Sequence, residues 1–348
     1  MSKSQCFNSF SLVSLFLLLA AGPAIASDVN YAFVKEIAVG GEGGWDYLSV
    51  DSAARRLYVS HASKVVVIDL DKLEVVGEIA DTPGVHGLAV APELGLGFSS
   101  NGRENKASIV DLKTLQTTGK AETGQNPDAI LYVPDRQEVY TFNGRSHDAT
   151  VFEAKTGKVI ATIPLGGKPE FAVYEPTLGR IFNNLEDKSA VVAIDAKTHS
   201  VVDTWPIAPG EEASGMAIDI KEHRLFIGCS NRLMIMMDYT NGKVVASVPI
   251  GQGVDANCFD PATRLAFAST GEGTVTIARE EAPDKLTVVQ TLQTKAGART
   301  MTLDPKTHRI YLSTGEYEAG TAAGGPGQRR SVVPGSFKVL VYGPQSDR

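Results

Sequence analysis

Cysteine is scarce, with three in 348 residues. Cys6 falls within the first 26 residues, which leaves Cys229 and Cys258 for the folded part. Two thiols cannot build a disulfide framework or a paired-cysteine metal centre. They could pair only with each other, and their positions in apolar strands read as two small buried side chains. Basic residues are also in short supply, 33 Lys and Arg against 40 Asp and Glu. That balance argues against general nucleic-acid binding, which draws its affinity from neutralised phosphates. Long apolar runs are missing after residue 26, so no later segment can span a bilayer as a helix. Catalytic signatures are missing too. The chain has no G-x-S-x-G, no H-E-x-x-H and no C-x-x-C-H.

Residues 1–26 read as a secretory signal peptide. Lys3 is their one charge, Phe10–Ala21 is apolar, and Ala24-Ile25-Ala26 is a small-x-small cleavage site. Cys6 precedes the apolar run, so it is not placed for lipid attachment. Removing 26 of 348 residues leaves 322, and losing Lys3 takes the net charge from −7 to −8. The expected product is a soluble exported protein, periplasmic or secreted.

What the chain does have is a repeat. GARTMTLDPKTHRIYLST, from Gly297 to Thr314, reads as apolar strand, Asp-Pro turn, apolar strand. Six earlier copies begin near residues 43, 83, 126, 168, 212 and 253. Their turns fall on Ser52, Pro92, Pro134, Pro176, Ile220, Pro261 and Pro305, spaced by 40 to 44 residues. A period near forty, with strands and no helix, predicts a propeller. Within each repeat the first strand is apolar on both faces, as Leu48-Ser49-Val50 and Phe171–Tyr174 show. Such a strand belongs innermost, between neighbouring blades. The third strand ends in an acidic residue before a turn whose Gly or Asn would supply a positive φ. The fourth alternates, as in Val75–Ile79 and Val159–Ile163, which suits an outer strand with one wet face.

The last repeat lacks a fourth strand, and the N-terminal segment Tyr31–Val39 offers a spare one. Pairing it with Phe337–Tyr342 would close the ring and leave no open edge. The sequence therefore predicts an all-β fold: a seven-bladed β-propeller of four-stranded antiparallel blades over residues 27–348. A closed ring has no unpaired blade, so a monomer is expected. One stretch breaks the pattern, 315–335, rich in Gly, Ala and Pro. It reads as a long surface loop, or as a lid using Arg329 and Arg330. Its GGPGQRR is not a phosphate loop, because no helix follows.

The second strands RRLYVSH and HRIYLST, the Asp-Pro turns, and segments such as IDLDKLEVVGEI and FEAKTGKVIATIP carry a family resemblance. Over essentially the whole chain after residue 26 they resemble the YncE-like bacterial propellers with YVTN repeats. The resemblance implies an exported, soluble, seven-bladed propeller. It implies no chemistry. The YVTN signature itself is replaced here by LYVSH, IYLST and, in the fourth repeat, IFNNL.

Function is sought where the copies differ. The residue six before each turn starts the innermost strand, at one mouth of the channel. Its seven occupants are Asp46, His86, Asp128, Glu170, Ser214, Asp255 and Arg299. The bland account is a hydrated channel mouth. The alternative is a ligand site, because four carboxylates near one axis repel and call for a cation, raised pKa values or compensation by Arg299. Asp46, Asp128, Glu170 and Asp255, with Asn257, would hold an ion. Their oxygens favour Ca²⁺ or Mg²⁺, and His86 admits Zn²⁺. A second polar band, His61, Asn101, Asn143, Arg145, His147, Asn183, Asn184 and Arg232, is expected on the rim. Trp45 and Tyr47 adjoin Asp46 as packing or as walls. His199, His223 and His308 are expected to be solvated, and Trp205 structural. Two functions follow as expectations. One is a binding module that presents this mouth to a small molecule or a protein partner. The other is a divalent-metal-dependent hydrolase of lactones or esters with His86 as general base, an analogy between folds.

Overall fold

A computed structural model describes Met1 and residues 29–318 and 331–345. The segment 1–26 and Arg329 and Arg330 lie essentially outside the described residues. Twenty-eight strands form seven four-stranded sheets. Six sheets run in simple chain order from the innermost strand outward. The innermost strands of blades 1 to 6 are Trp45–Asp51, Val85–Ala91, Pro127–Val133, Pro169–Glu175, Ala213–Asp219 and Val254–Asp260. Blade 7 begins with Met301–Asp304 and Arg309–Thr314, continues with Lys338–Pro344, and takes its outer strand from Tyr31–Ala38. Among the described residues the only helical turns are two short 3-10 pieces, Pro92–Leu94 and Glu186–Lys188.

The ring closure predicted from the spare N-terminal strand is present. Tyr31–Ala38 pairs antiparallel with Lys338–Pro344. Tyr31 secures it: its ring meets Phe267 edge on at 5.3 Å, and its hydroxyl donates to the His308 carbonyl at 2.7 Å. The core is not one mass but a series of apolar layers between adjacent blades. Tyr140, Phe142 and Ile181 share a layer with Val192 and Ile194, and Phe226, Met234 and Met236 share the next but one with Ala266 and Ala268. Both faces of a middle strand are thereby buried, which explains the unbroken apolar runs.

Acidic residues at strand ends build the turns. Asp51, Glu175, Asp219, Asp260 and Asp304 accept backbone N–H groups two or three residues on. Asp69, Asp111, Asp195 and Asp238 do the same at the outer hairpins. These hairpins do not always use Gly or Asn. Leu73, Leu115 and His199 adopt positive φ there. The strain is offset by packing: Leu73 is buried, and Leu115 lies against Gly77, where a Cβ would come within 2.6 Å of it. Two of the three turn-face histidines differ from the solvated expectation, which exposed His223 meets. His199 Nε2 bonds Glu138 at 2.9 Å and His308 Nδ1 bonds Asp260 at 2.6 Å, both buried carboxylates, while exposed His223 touches the Tyr239 hydroxyl. Trp205 is structural, stacked on Phe182 and filling the space above Gly242.

No described helix is long and apolar enough to cross a membrane. Cys229 and Cys258 are unpaired. Burial pushes both thiols up to about 12.

Candidate functional site

The strand-start residues owe their direction to a recurring irregularity. In blades 1 to 6 the pairing of first and second strands slips at the ring position, between Trp45 and Leu48, Val85 and Leu88, Pro127 and Ile130, Pro169 and Ala172, Ala213 and Met216, and Val254 and Ala256. A bulge frees its residue from the ladder and re-aims the side chain. Here it sits under Asp46, His86, Asp128, Glu170, Ser214 and Asp255. Arg299 precedes the short strand of blade 7.

The bulged backbone is held from below by hydroxyls and amides near the ends of the second strands. Ser60 Oγ accepts the Asp46 N–H at 2.9 Å. Ser100 Oγ accepts the Gly87 N–H at 3.1 Å and donates to the Asp128 carbonyl of the next blade at 2.5 Å. Asn183 Nδ2 donates to the Glu170 carbonyl at 3.1 Å, Asn184 Nδ2 to that of Ser214 at 2.6 Å, and Ser269 Oγ to that of Arg299. The sequence carried this signal as the recurring Ser in VSH, SSN and AST, which the search for charged groups passed over.

The second polar band therefore divides. Asn101, Asn143, Asn183 and Asn184 are buried, and Asn101 and Asn143 bond neighbours such as Ser108 and Asp148. His61 is buried as well, stacked on Phe337 at 4.1 Å with nearly parallel planes. Burial and Lys64 lower its pKa. Trp45 also stacks on Phe337, with ring centroids 5.2 Å apart. Arg145, His147 and Arg232 are exposed.

Above this layer the ring breaks into three groups. His86 Nδ1 lies 2.7 Å from Asp46 Oδ2 and 3.4 Å from Asp128 Oδ1. Asp255 is 3.1 Å from Arg299 Nε and accepts from Ser214 Oγ at 3.2 Å. Glu170 is bridged by Lys168 at 2.7 Å, and the same ammonium reaches Glu186. Lys168 was not among the expected site residues. Asn257 turns away, its amide near Met234 and its oxygen against Gly215 and Gly228.

The floor is aromatic. The residues after the ring positions are Tyr47, Gly87, Ala129, Phe171, Gly215, Ala256 and Thr300. Two large rings among small neighbours meet edge to face, Tyr47 and Phe171, with centroids 5.4 Å apart. Gly87 leaves room for Tyr47: a Cβ there would lie 3.3 Å from the ring. The ring of polar groups is thus a cup with Tyr47 and Phe171 in its floor. Burial, then the surrounding carboxylates, hold the Tyr47 hydroxyl far above its usual range.

Electrostatics follow from that geometry. Burial pushes Asp128 up to about 7, helped by Asp46 and Asp255 and opposed by His86 and Lys168. Burial, with Asp128, pushes Glu170 up to about 8 against the pull of Lys168. Burial lifts Asp255 to about 6 although Arg299 and Ser214 stabilise its charge. Burial works against a charged His86, but the Asp46 hydrogen bond and the charges of Asp128, Asp46 and Glu170 raise it to about 9. Crowded acids are thus met by raised pKa values and by cationic side chains, Arg299 as foreseen and also Lys168 and His86.

Among the described residues, Asp46, His86 and Asp128 are the group whose ligand atoms all lie within 4.8 Å of one another. Glu170 and Asp255 do not join it. The far mouth of the channel offers different chemistry: an apolar depression of about 560 Å³ lined by Leu131, Tyr132, Tyr174, Pro176 and Ile220.

Fold and cup together define the class: a seven-bladed β-propeller with an ionisable cup at one mouth of its channel. A solved structure of Kuenenia stuttgartiensis hydrazine synthase is similar in fold, with a TM-score of 0.70 and 16% identity over 77% of this chain and 92% of that one. At that identity the likeness speaks for the fold alone. No protein-family model matches the chain. No curated protein matches it either.

Proposed function

We propose that this propeller is an exported binding module, and that its cup takes a ligand carrying a cationic group. The observation that carries the reading is the cup itself. Asp46, Asp128, Glu170 and Asp255 all lie close enough to act on the Tyr47 hydroxyl, and Tyr47 meets Phe171 in the floor. Carboxylates over aromatic rings suit a cation, through charge and cation–π attraction. Export rests on the signal-like residues 1–26, and the resemblance to YncE-like propellers agrees with it. No described catalytic motif competes. The test is a thermal-shift titration with putrescine, tetramethylammonium and divalent metal chlorides. At least one probe should stabilise the wild type saturably and fail to stabilise Asp128→Asn/Glu170→Gln. If none does, or the variant responds equally, the reading falls.

A second reading, the metal-dependent hydrolase, is favoured by one observation. Asp46 bonds His86 Nδ1, the arrangement that fixes a tautomer and leaves Nε2 for proton transfer. Against it, two carboxylates beside the imidazole keep its proton on at neutral pH, which makes a poor base. Turnover of simple lactones and esters, lost in His86→Gln, would restore this reading.

A further inference from the structure

We propose that the Asp46–His86–Asp128 corner of the cup is a transition-metal site, of the kind that takes Zn²⁺. The inference rests on the cup being a cation site and names the cation. Three side chains from three consecutive blades meet here, each offering one ligand atom, all within 4.8 Å of one another. Donors around an ion with bonds of about 2.1 Å sit about 3.4 Å apart on a tetrahedron. The His86 Nδ1 to Asp128 Oδ1 separation is 3.4 Å, and the 2.7 Å contact to Asp46 would open by about 0.7 Å to reach that tetrahedral spacing.

An independent observation points the same way. Asp128 Oδ1 is cut off from solvent and accepts no hydrogen bond, although it faces the point where the other two donors converge. Among the described residues its one polar contact is the loose His86 ion pair at 3.4 Å; a buried carboxylate oxygen that accepts no hydrogen bond is costly, and a bound cation would satisfy it. The Asp128 side chain is only 14% exposed, and its backbone is fixed through Ser100. The donor set decides the ion. Ca²⁺ gathers six to eight oxygens and Mg²⁺ an octahedron of them, whereas an imidazole with two carboxylates suits Zn²⁺ and its neighbours. Glu170 and Asp255 are engaged by Lys168 and Arg299, so the oxygen-only set read from the sequence is not assembled. On binding, the proton shared between His86 and Asp46 leaves to solvent, and the imidazole nitrogen donates its lone pair to the metal.

Calorimetric titration of chelator-treated full-length protein with Zn²⁺ tests this. One equivalent should bind to the wild type. His86→Ala and Asp46→Asn should weaken binding at least tenfold. Glu78→Gln/Glu122→Gln, at exposed carboxylates on outer strands away from the cup, should stay within about threefold. Co²⁺ in place of Zn²⁺ should give visible d–d absorption that His86→Ala abolishes, and matched melting temperatures without metal show that each variant is folded. Absence of one-to-one binding, or equal binding by His86→Ala, overturns the metal site. If Zn²⁺ fails while putrescine or tetramethylammonium still stabilises in a cup-dependent way, only this inference falls. If neither binds, the cup reading falls with it.

Discussion

Replacing Glu280 by glutamine should make the protein less sensitive to alkaline pH. Glu280 lies on Thr274–Ala282 of blade 6, and its side chain is 0% exposed. Both carboxyl oxygens lack a hydrogen bond of good geometry, and Arg264 Nη2 stands off at 3.4 Å. Asp219, buried at the end of the innermost strand of blade 5, faces it, and Glu222 adds a further negative charge. Burial, then Asp219, raises Glu280 from 4.5 to about 7. The folded state therefore holds this proton more tightly than the unfolded state. The resulting stability is complete below pH 4.5 and is lost as pH rises through 7. A rise from 4.5 to about 7 corresponds to at most ~3 kcal/mol, of which ~2 kcal/mol would be lost between pH 5 and pH 8. Glutamine keeps the shape, stays neutral and can donate to Asp219. Urea denaturation at both pH values measures the effect. The fall in unfolding free energy should be smaller in Glu280→Gln by roughly 1–2 kcal/mol, and groups common to both proteins cancel in that comparison. A variant that tracks the wild type across the range, or is the less stable protein at pH 8, refutes the reasoning.

Other consequences are as direct. Tyr31→Ala should lower stability by ~3–5 kcal/mol, because it empties a layer of the closing seam and removes a hydrogen bond, whereas Phe33→Ala, at a side chain 55% exposed, should change the melting temperature little. Ser100→Ala should cost ~1–3 kcal/mol by orphaning the Gly87 N–H and the Asp128 carbonyl, and it should weaken any ligand that Asp128→Asn also weakens, as read by thermal shift. Cys229 and Cys258 should resist a thiol reagent in the native protein and both react in denaturant without reductant; a single disulfide found by mass spectrometry would contradict the unpaired thiols.

The architecture was legible because a propeller repeats its instructions. Seven turns at 40 to 44 residue spacing, apolar first strands and a spare N-terminal strand each state one part of the fold locally, and the closed ring follows from counting them. The seven ring positions were legible for a related reason: a position that varies while its neighbours repeat is not needed for the blade. Partners were not legible. Which acids meet which cations depends on blade rotation and on bulges that turn six of the side chains inward, and those are set by packing between segments about forty residues apart. So only the tertiary structure could give His86 to Asp46 and Asp128, Arg299 to Asp255, and Lys168 to Glu170. It also moved His61 and the asparagines from the rim into the interior, since a polar residue near a strand end reads the same in sequence whether it meets water or a neighbouring backbone carbonyl. Sequence alone determined the ring and the roster of its charges; tertiary structure decided their pairing, because pairing is a matter of distances between blades.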